Sequence, residues 1–109
     1  MLKKRDRLTA KDIESLSLGK SVFGTLISLR YKPSPKAGFS ATASKKTFKT
    51  AVLRNRARRR VYAALEKSIG DVRAKAFVMI MPKKEALDAS FGDLAAEVRS
   101  LLGKAGLLG

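Results

Sequence analysis

The chain has 109 residues, of which 45% are apolar, and this length and composition predict one folded domain spanning residues 1–109. It carries 24 Lys and Arg against 9 Asp and Glu, and it contains neither His nor Cys. The lack of His and Cys excludes the commonest general base, the commonest zinc ligands, thiolate nucleophiles and any disulfide framework.

The first half of the chain predicts one helix followed by two strands. The helix starts at the capping residue Thr9 and ends near Gly19. A strand pattern follows over residues 21–32, where apolar and polar side chains alternate. After a Pro-containing loop at residues 33–36, a second alternating strand covers residues 39–44. One face of this sheet is expected to meet a core, and the other is expected to be polar and available.

The second half predicts two helices separated by a strand. A long central helix covers residues 50–69, has an apolar stripe at helical spacing and is ended by Gly70. Residues 76–81 form a continuous apolar run, which is typical of a strand buried on both faces. The last helix is capped by Ser90 and keeps its apolar rhythm through Ala105. The order α-β-β-α-β-α predicts an α/β sandwich of the α+β class, with helices packed on a small mixed sheet.

The charge is unevenly distributed along the chain. Residues 1–60 carry 17 basic and 3 acidic side chains, whereas residues 61–109 carry 7 and 6. No acidic residue occurs from Ser15 to Arg60. Because a compact domain with one-sided charge repels itself, this pattern predicts a polyanionic partner, either nucleic acid or an anionic membrane surface.

The centre of this basic half is an arginine-rich stretch of the central helix, residues 54–60, which contains five arginines and Asn55. Arginine suits bidentate contacts with phosphates and guanine edges. The preceding lysines stand beside the start of the helix, where backbone amides favour phosphate. We therefore predict that nine side chains bind nucleic acid: Lys45, Lys46, Lys49, Arg54, Asn55, Arg56, Arg58, Arg59 and Arg60.

The carboxylates give little sign of chemistry. They are scattered along the chain, and none lies between Glu14 and Glu66. Asp93 and Glu97 share one face of the last helix, which we interpret as a solvated face rather than a metal pair. We predict no metal site and no catalytic residue in the polypeptide. No apolar run approaches the ~20 residues of a membrane helix, and the lack of Cys favours the cytoplasm.

Two blocks of sequence resemble the signature of the bacterial ribonuclease P protein family. Residues 38–46 read GFSATASKK and resemble the family's strand end, and residues 51–59 read AVLRNRARR and resemble its AVxRNRxKR helix start. Arg54, Asn55 and Arg56 match the RNR of that motif, and Lys45 and Lys46 match its two lysines. The family commonly has a further arginine where this chain has Tyr62, and the neighbouring Arg60 is a candidate to substitute for it.

The resemblance implies a function and several features that the residue pattern alone does not predict. It implies a left-handed βαβ crossover around the arginine-rich helix. It also implies an RNA-binding subunit of ribonuclease P, which assists endonucleolytic removal of the 5′ leader of precursor tRNA. The implied partners are the catalytic ribonuclease P RNA, in a 1:1 complex with a protein monomer, and precursor tRNA. Hydrolysis would depend on Mg²⁺ held in the ribonucleoprotein, with no cofactor held by the protein alone.

Contact with the leader is expected on the sheet. The family's first helix usually offers Phe residues there, but this chain has aliphatic residues such as Leu8 and Ile13. On the polar phase of the strands, the candidates for leader phosphates are Arg30, Lys32, Ser40 and Thr42. The remaining aromatic candidates are Phe23, Tyr31 and Phe39, although their strand phase favours core packing for all three.

Three other functions fit parts of the sequence. A basic ribosomal or ribosome-associated RNA-binding protein would share the charge pattern. A DNA-binding module could place the arginine-rich helix in a major groove. A metal-dependent nuclease would have to rely on carboxylates alone. The identity of the RNA partner distinguishes the first from a ribonuclease P subunit, affinity for duplex DNA tests the second, and cleavage of RNA by protein with Mg²⁺ tests the third.

Overall fold

One mixed sheet of four strands forms the centre of the protein in the computed structural model, which describes residues 19–34, 37–73 and 75–108. The strands, in the spatial order β1-β2-β4-β3, are β1 (Lys20–Phe23), β2 (Ile27–Pro33), β3 (Gly38–Ala41) and β4 (Ala76–Pro82). Strand β2 pairs antiparallel with β1 and β4, whereas β3 and β4 are parallel. The predicted first helix at Thr9 lies outside the described residues.

Two helices cover one side of this sheet. Helix α1 (Ala51–Glu66) contacts β3 and β4, and helix α2 (Phe91–Lys104) contacts β1 and β2. The two helices also contact each other, so sheet and helices enclose one main core. This arrangement confirms the predicted α+β sandwich. The β3-α1-β4 unit is the crossover for which the resemblance implies a left-handed sense, and that sense stays a prediction.

Local signals place both helices where the sequence predicted them. The Thr50 hydroxyl accepts a hydrogen bond from the Leu53 amide at 3.2 Å, and the Ser90 hydroxyl accepts one from the Asp93 amide at 3.1 Å. Helix α1 ends at Glu66, a few residues before the predicted end. The chain then forms a short 3₁₀ turn, Ile69–Asp71.

The single strand predicted over residues 21–32 is wrong, because the structure divides it into the β1-β2 hairpin. Residues 24–26 form the turn, in which the Gly24 amide donates to the Ile27 carbonyl at 2.9 Å. The strand phase reverses at this turn. In β1 it is Val22 that pairs with Leu29 on the helix side, while Phe23 pairs with Ser28 on the opposite side. Phe23 is therefore 72% exposed rather than part of the core.

A carboxylate from α2 holds this hairpin turn. Glu97 accepts hydrogen bonds from the amides of Thr25, Leu26 and Ile27 at 2.9, 2.6 and 2.7 Å. The predicted solvated role of Glu97 is therefore wrong, because its side chain is half-buried under the turn. These three amides lack ladder partners, and the charged acceptor satisfies them. The interaction joins residues about 70 positions apart, so no local pattern could have indicated it.

Gly24 allows this carboxylate to approach the turn, and replacing it with alanine is expected to destabilise the fold. A Cβ at Gly24 would lie 2.9 Å from both Cδ and Oε2 of Glu97 and 3.1 Å from the Ile27 carbonyl oxygen. We expect Gly24→Ala to lower the free energy of unfolding by about 1–3 kcal/mol, measured by urea denaturation. Gly70→Ala is the matched control, since nothing lies within 4 Å of its added Cβ. Equal free energies of unfolding in the two variants would contradict the close contact between the turn and the Glu97 carboxylate.

Strand β4 alternates instead of being buried on both faces as predicted. Ala76, Val78, Ile80 and Pro82 are buried, because they face α1 and α2. The intervening Phe77, Met79 and Met81 are half-buried and lie on the other side of the sheet. The apolar run therefore contributes side chains to both sides of the sheet, and only the side that faces the helices belongs to the main core.

Candidate nucleic-acid interface

The lysines predicted to bind phosphate lie on a rigid turn, residues 44–49, which we call the lysine turn. The Ser44 hydroxyl accepts from the Thr47 amide at 3.1 Å, and the Ser44 carbonyl accepts from the Phe48 amide at 2.9 Å. The side chains of Lys45, Lys46 and Lys49 are exposed. The turn therefore presents three cations from a fixed backbone.

Phe48 anchors the lysine turn to α1. Its side chain is only 1% exposed and forms a small second core with Ala43 and Ala57. The half-buried Leu53 and Leu87 pack against this cluster. Sequence reasoning missed Phe48, because a single aromatic residue among lysines and threonines has no periodic context.

The surface of α1 that points away from the core is the arginine face, formed by Asn55, Arg56 and Arg59. All three side chains are exposed, while Ala57 and Val61 point into the protein. No acidic side chain stands in the first turn of α1, a helix that lies wholly within the described residues. The positive end of the helix dipole thus adds to the charge of the lysine turn that precedes it. Together these features form one continuous stretch of positive charge along the chain.

The other three predicted arginines also make contacts within the protein. Arg54 donates from Nη1 to the Phe48 carbonyl at 2.9 Å, which ties α1 to the lysine turn. Arg58 donates to the Asn55 side-chain oxygen. Arg60 donates from Nε to the Ala86 carbonyl at 3.1 Å and also donates to the Ala89 carbonyl. Arg60 therefore connects α1 to the segment leading into α2, and its predicted contact with RNA stays a prediction.

A second surface lies on the side of the sheet opposite α1 and α2, and we call it the outer face. Strand pairing aligns Arg30 with Ser21 of β1 and Met79 of β4, and Met79 in turn with Ser40 of β3. The Arg30 Nε donates to the Ser21 hydroxyl at 3.2 Å, which orients the guanidinium across β1. Neighbouring rows add the rest of this face: Phe23, Ser28 and Met81, then Lys32, Phe77 and Gly38.

The structure places three of the four polar leader candidates on the outer face. Arg30, Lys32 and Ser40 share the outer face as expected from their phase, although Ser40 is buried. Thr42 is exposed just beyond β3, and its amide donates to the Ile80 carbonyl at 3.0 Å. Together with the Phe and Met side chains of the same rows, these positions make the outer face a mixed basic, polar and apolar surface.

The three aromatic candidates do not stay together. Tyr31 and Phe39 both pair with Val78 and lie on the helix side, where Phe39 is buried. Phe23 reaches the outer face, together with Phe77, which sequence reasoning missed. Phe77 faces outward because side chains alternate along β4. The sequence does not show this alternation, since residues 76–81 are all apolar.

The acidic residues do not offset the charge of these surfaces. Arg99 and Asp71 form an ion pair at 2.7 Å at the other end of α1, where the hydrogen bond and charge of Arg99 lower the pKa of the Asp71 carboxyl.

Within residues 19–34, 37–73 and 75–108, no group of three or more acidic, His or Cys side chains could hold a metal ion. No helix in these ranges is long and apolar enough to span a membrane.

Comparisons with known proteins identify one family by sequence and find the same fold in solved structures of proteins from that family. A profile of the Ribonuclease P family matches residues 2–106. The chain is 32% identical over 95 residues to the ribonuclease P protein component of Thermus aquaticus, a match that covers 87% of this chain but only 56% of that relative. The fold is similar to RNase P proteins from Staphylococcus aureus, with a TM-score of 0.79, 16% identity and coverage of 95% and 98% of the two chains. It is also similar to the protein from Thermotoga maritima, with a TM-score of 0.79, 18% identity and coverage of 92% and 97%.

Proposed function

Because this chain belongs to the Ribonuclease P protein family, we propose that it is the RNA-binding protein subunit of ribonuclease P, which removes the 5′ leader of precursor tRNA. The observation that carries this proposal is the joining of the exposed lysine turn to the arginine face of α1. These are the two segments whose sequence resembles the family signature. The proposed complex contains one protein monomer and one catalytic RNA.

The catalytic RNA is proposed to bind the lysine turn and the arginine face. Phosphate contacts provide most of the affinity of such complexes, and arginine can grip a phosphate through two parallel hydrogen bonds. Among the described residues, Arg56 and Arg59 make no hydrogen bonds of the kind that hold Arg54 and Arg60, and their side chains are exposed. They are therefore the arginines best placed for direct contact with RNA.

The 5′ leader is proposed to bind the outer face of the sheet. Single-stranded RNA is held by positive charge along its backbone and by stacking of its bases on flat side chains. Arg30 and Lys32 supply the charge, and the exposed ring of Phe23 supplies a surface for stacking. This side of the sheet is separate from α1, so one protein can contact the catalytic RNA and its substrate together.

Hydrolysis and its Mg²⁺ ions are assigned to the RNA subunit. The protein's part is to bind, to orient the leader and to neutralise phosphate charge. Because two RNA chains repel each other, cations supplied by the protein should reduce the Mg²⁺ concentration that the complex requires. The protein is thus proposed to act through affinity and positioning.

Single-turnover cleavage of a precursor tRNA by ribonuclease P RNA, at low Mg²⁺ with and without the protein, tests this proposal. We expect the protein to restore accurate 5′ cleavage that the RNA alone barely supports, because its cations offset the repulsion between the RNAs. The RNA-free protein is the control and is expected to cleave nothing. If the protein binds the RNA but changes neither the rate nor the Mg²⁺ requirement, the proposal fails and a ribosome-associated RNA-binding protein becomes the better explanation.

A further inference from the structure

The turn that follows strand β1, residues 24–26, is held by contacts from two distant parts of the chain. On one side, the Glu97 carboxylate accepts the three amides of residues 25–27. On the other, the Lys83 side chain donates to the Gly24 carbonyl, and the Lys83 amide donates to the Leu26 carbonyl at 2.8 Å. The turn therefore has partners for its three amides and for the carbonyls of Gly24 and Leu26, and its position is fixed relative to α2 and β4.

The fixed strand carries two side chains that shape the outer face. Ser21 accepts the hydrogen bond from the Arg30 Nε at 3.2 Å, and Phe23 projects its ring on the same side. Strand β1 is an edge strand, hydrogen-bonded within the sheet only to β2. Its outer edge has no neighbouring strand among the described residues, so the position of Phe23 depends on the pairing of β1 with β2 and on the turn that joins these strands.

We propose that Glu97 is a positioning residue for RNA bound to the outer face, acting through β1 on Phe23 and Arg30. This inference rests on the proposed function, because it takes single-stranded RNA to be the occupant of that face. Glu97 acts indirectly, since its carboxylate is engaged by the three amides of residues 25–27. Its effect is to keep an aromatic ring and a guanidinium at a fixed spacing, so that a base and a phosphate of one strand can engage both.

The carboxylate is required because three amides converge on it. A glutamine at this position offers one acceptor oxygen, and its amino group would stand against at least one of the three N–H donors. The turn would then lose part of its restraint, while the main core and the lysine turn keep their contacts. A loss confined to the outer face distinguishes positioning from a general loss of stability.

The test is Glu97→Gln in the full chain assembled with ribonuclease P RNA. We expect the KM for a precursor tRNA with a long single-stranded leader to rise by about tenfold, the value of one lost base-stacking contact. The KM for a substrate with a one-nucleotide leader, the kcat and the affinity for the catalytic RNA should stay within about twofold. Asp93→Asn is the matched control, because it removes the same charge from an exposed position one turn earlier on α2.

Two further measurements make the result decisive. Amide chemical shifts of residues 25–27 should move in Glu97→Gln while those of α1 stay in place, which reports an opened turn in a folded protein. In a Phe23→Ala background, Glu97→Gln should raise the KM for the long leader by less than it does in the unmodified protein, because the stacking contact that it positions is already absent. Should Glu97→Gln not fold, Gly24→Ala presses on the same carboxylate and takes its place.

The possible outcomes separate this inference from the proposed function. If Phe23→Ala and Arg30→Ala raise the long-leader KM but Glu97→Gln does not, the positioning role is refuted and the leader site stands. If Glu97→Gln raises the KM equally for both substrates, its role is only structural and the inference is again refuted. If Phe23→Ala and Arg30→Ala also change nothing, the outer face is not the leader site, and the inference fails with that part of the proposed function.

Discussion

Replacing Arg56 and Arg59 together with alanine is expected to weaken binding of the protein to ribonuclease P RNA by about 100-fold at physiological salt. Both side chains are exposed on the arginine face, and each is proposed to meet one phosphate. Each lost contact removes about one released counterion. The slope of log affinity against log salt concentration should therefore fall by about 2, measured by filter binding across a salt series.

The control for this prediction removes two positive charges from elsewhere on the protein. Lys75 and Lys104 are exposed and lie outside α1 and the lysine turn. Replacing both with alanine lowers the net charge by the same amount, so it should reproduce only the long-range part of the effect. Equal loss of affinity in the two double variants would mean that overall charge, rather than the arginine face, binds the RNA. An unchanged slope in the first variant would mean that Arg56 and Arg59 face solvent in the complex.

Replacing Phe48 with alanine is expected to lower the free energy of unfolding by about 3–5 kcal/mol, the usual result of emptying a buried aromatic site. This is a large part of the stability of a small domain. Phe48 packs against Ala43 and Ala57, whose methyl groups are too small to close the cavity. Denaturation in urea measures the change. RNA affinity should fall as well, because the lysine turn loses its anchor.

Phe23→Ala is the matched control for Phe48→Ala, since it removes the same ring from a position that is 72% exposed. Its free energy of unfolding should change by no more than about 0.5 kcal/mol. Phe48→Leu keeps most of the apolar volume and should cost about 1 kcal/mol. A similar loss in Phe23→Ala and Phe48→Ala would contradict the second core described for the lysine turn.

The sequence was sufficient to predict the elements that local signals determine. Helices α1 and α2 begin at capping residues and carry apolar stripes, and both were predicted within a few residues. The hairpin was missed because its cause is not local. Alternation continues through residues 21–32, whereas the turn at Gly24 is held by two distant residues, Glu97 and Lys83.

The sequence indicated the basic segments, whose role in binding RNA stays a prediction, but it did not indicate the contacts that support them. The resemblance located the lysine turn and the arginine face, while Phe48 and the contacts of Arg60 required the structure. Tyr62 is a similar case. Its hydroxyl accepts a hydrogen bond from the Ala41 amide of β3 at 3.1 Å, at a position where the family commonly has an arginine. This bond joins α1 to the edge strand β3.

The strand order of the sheet also determines when the domain can fold during its synthesis. Strand β4 lies between β2 and β3, yet it is made last, from residue 76 onwards. Until it leaves the ribosome, β2 and β3 have no partner between them, and the first 60 residues, with 17 of the 24 basic side chains, emerge without a completed sheet. The nascent chain therefore carries most of its basic side chains, still without a completed sheet, while it is surrounded by ribosomal RNA.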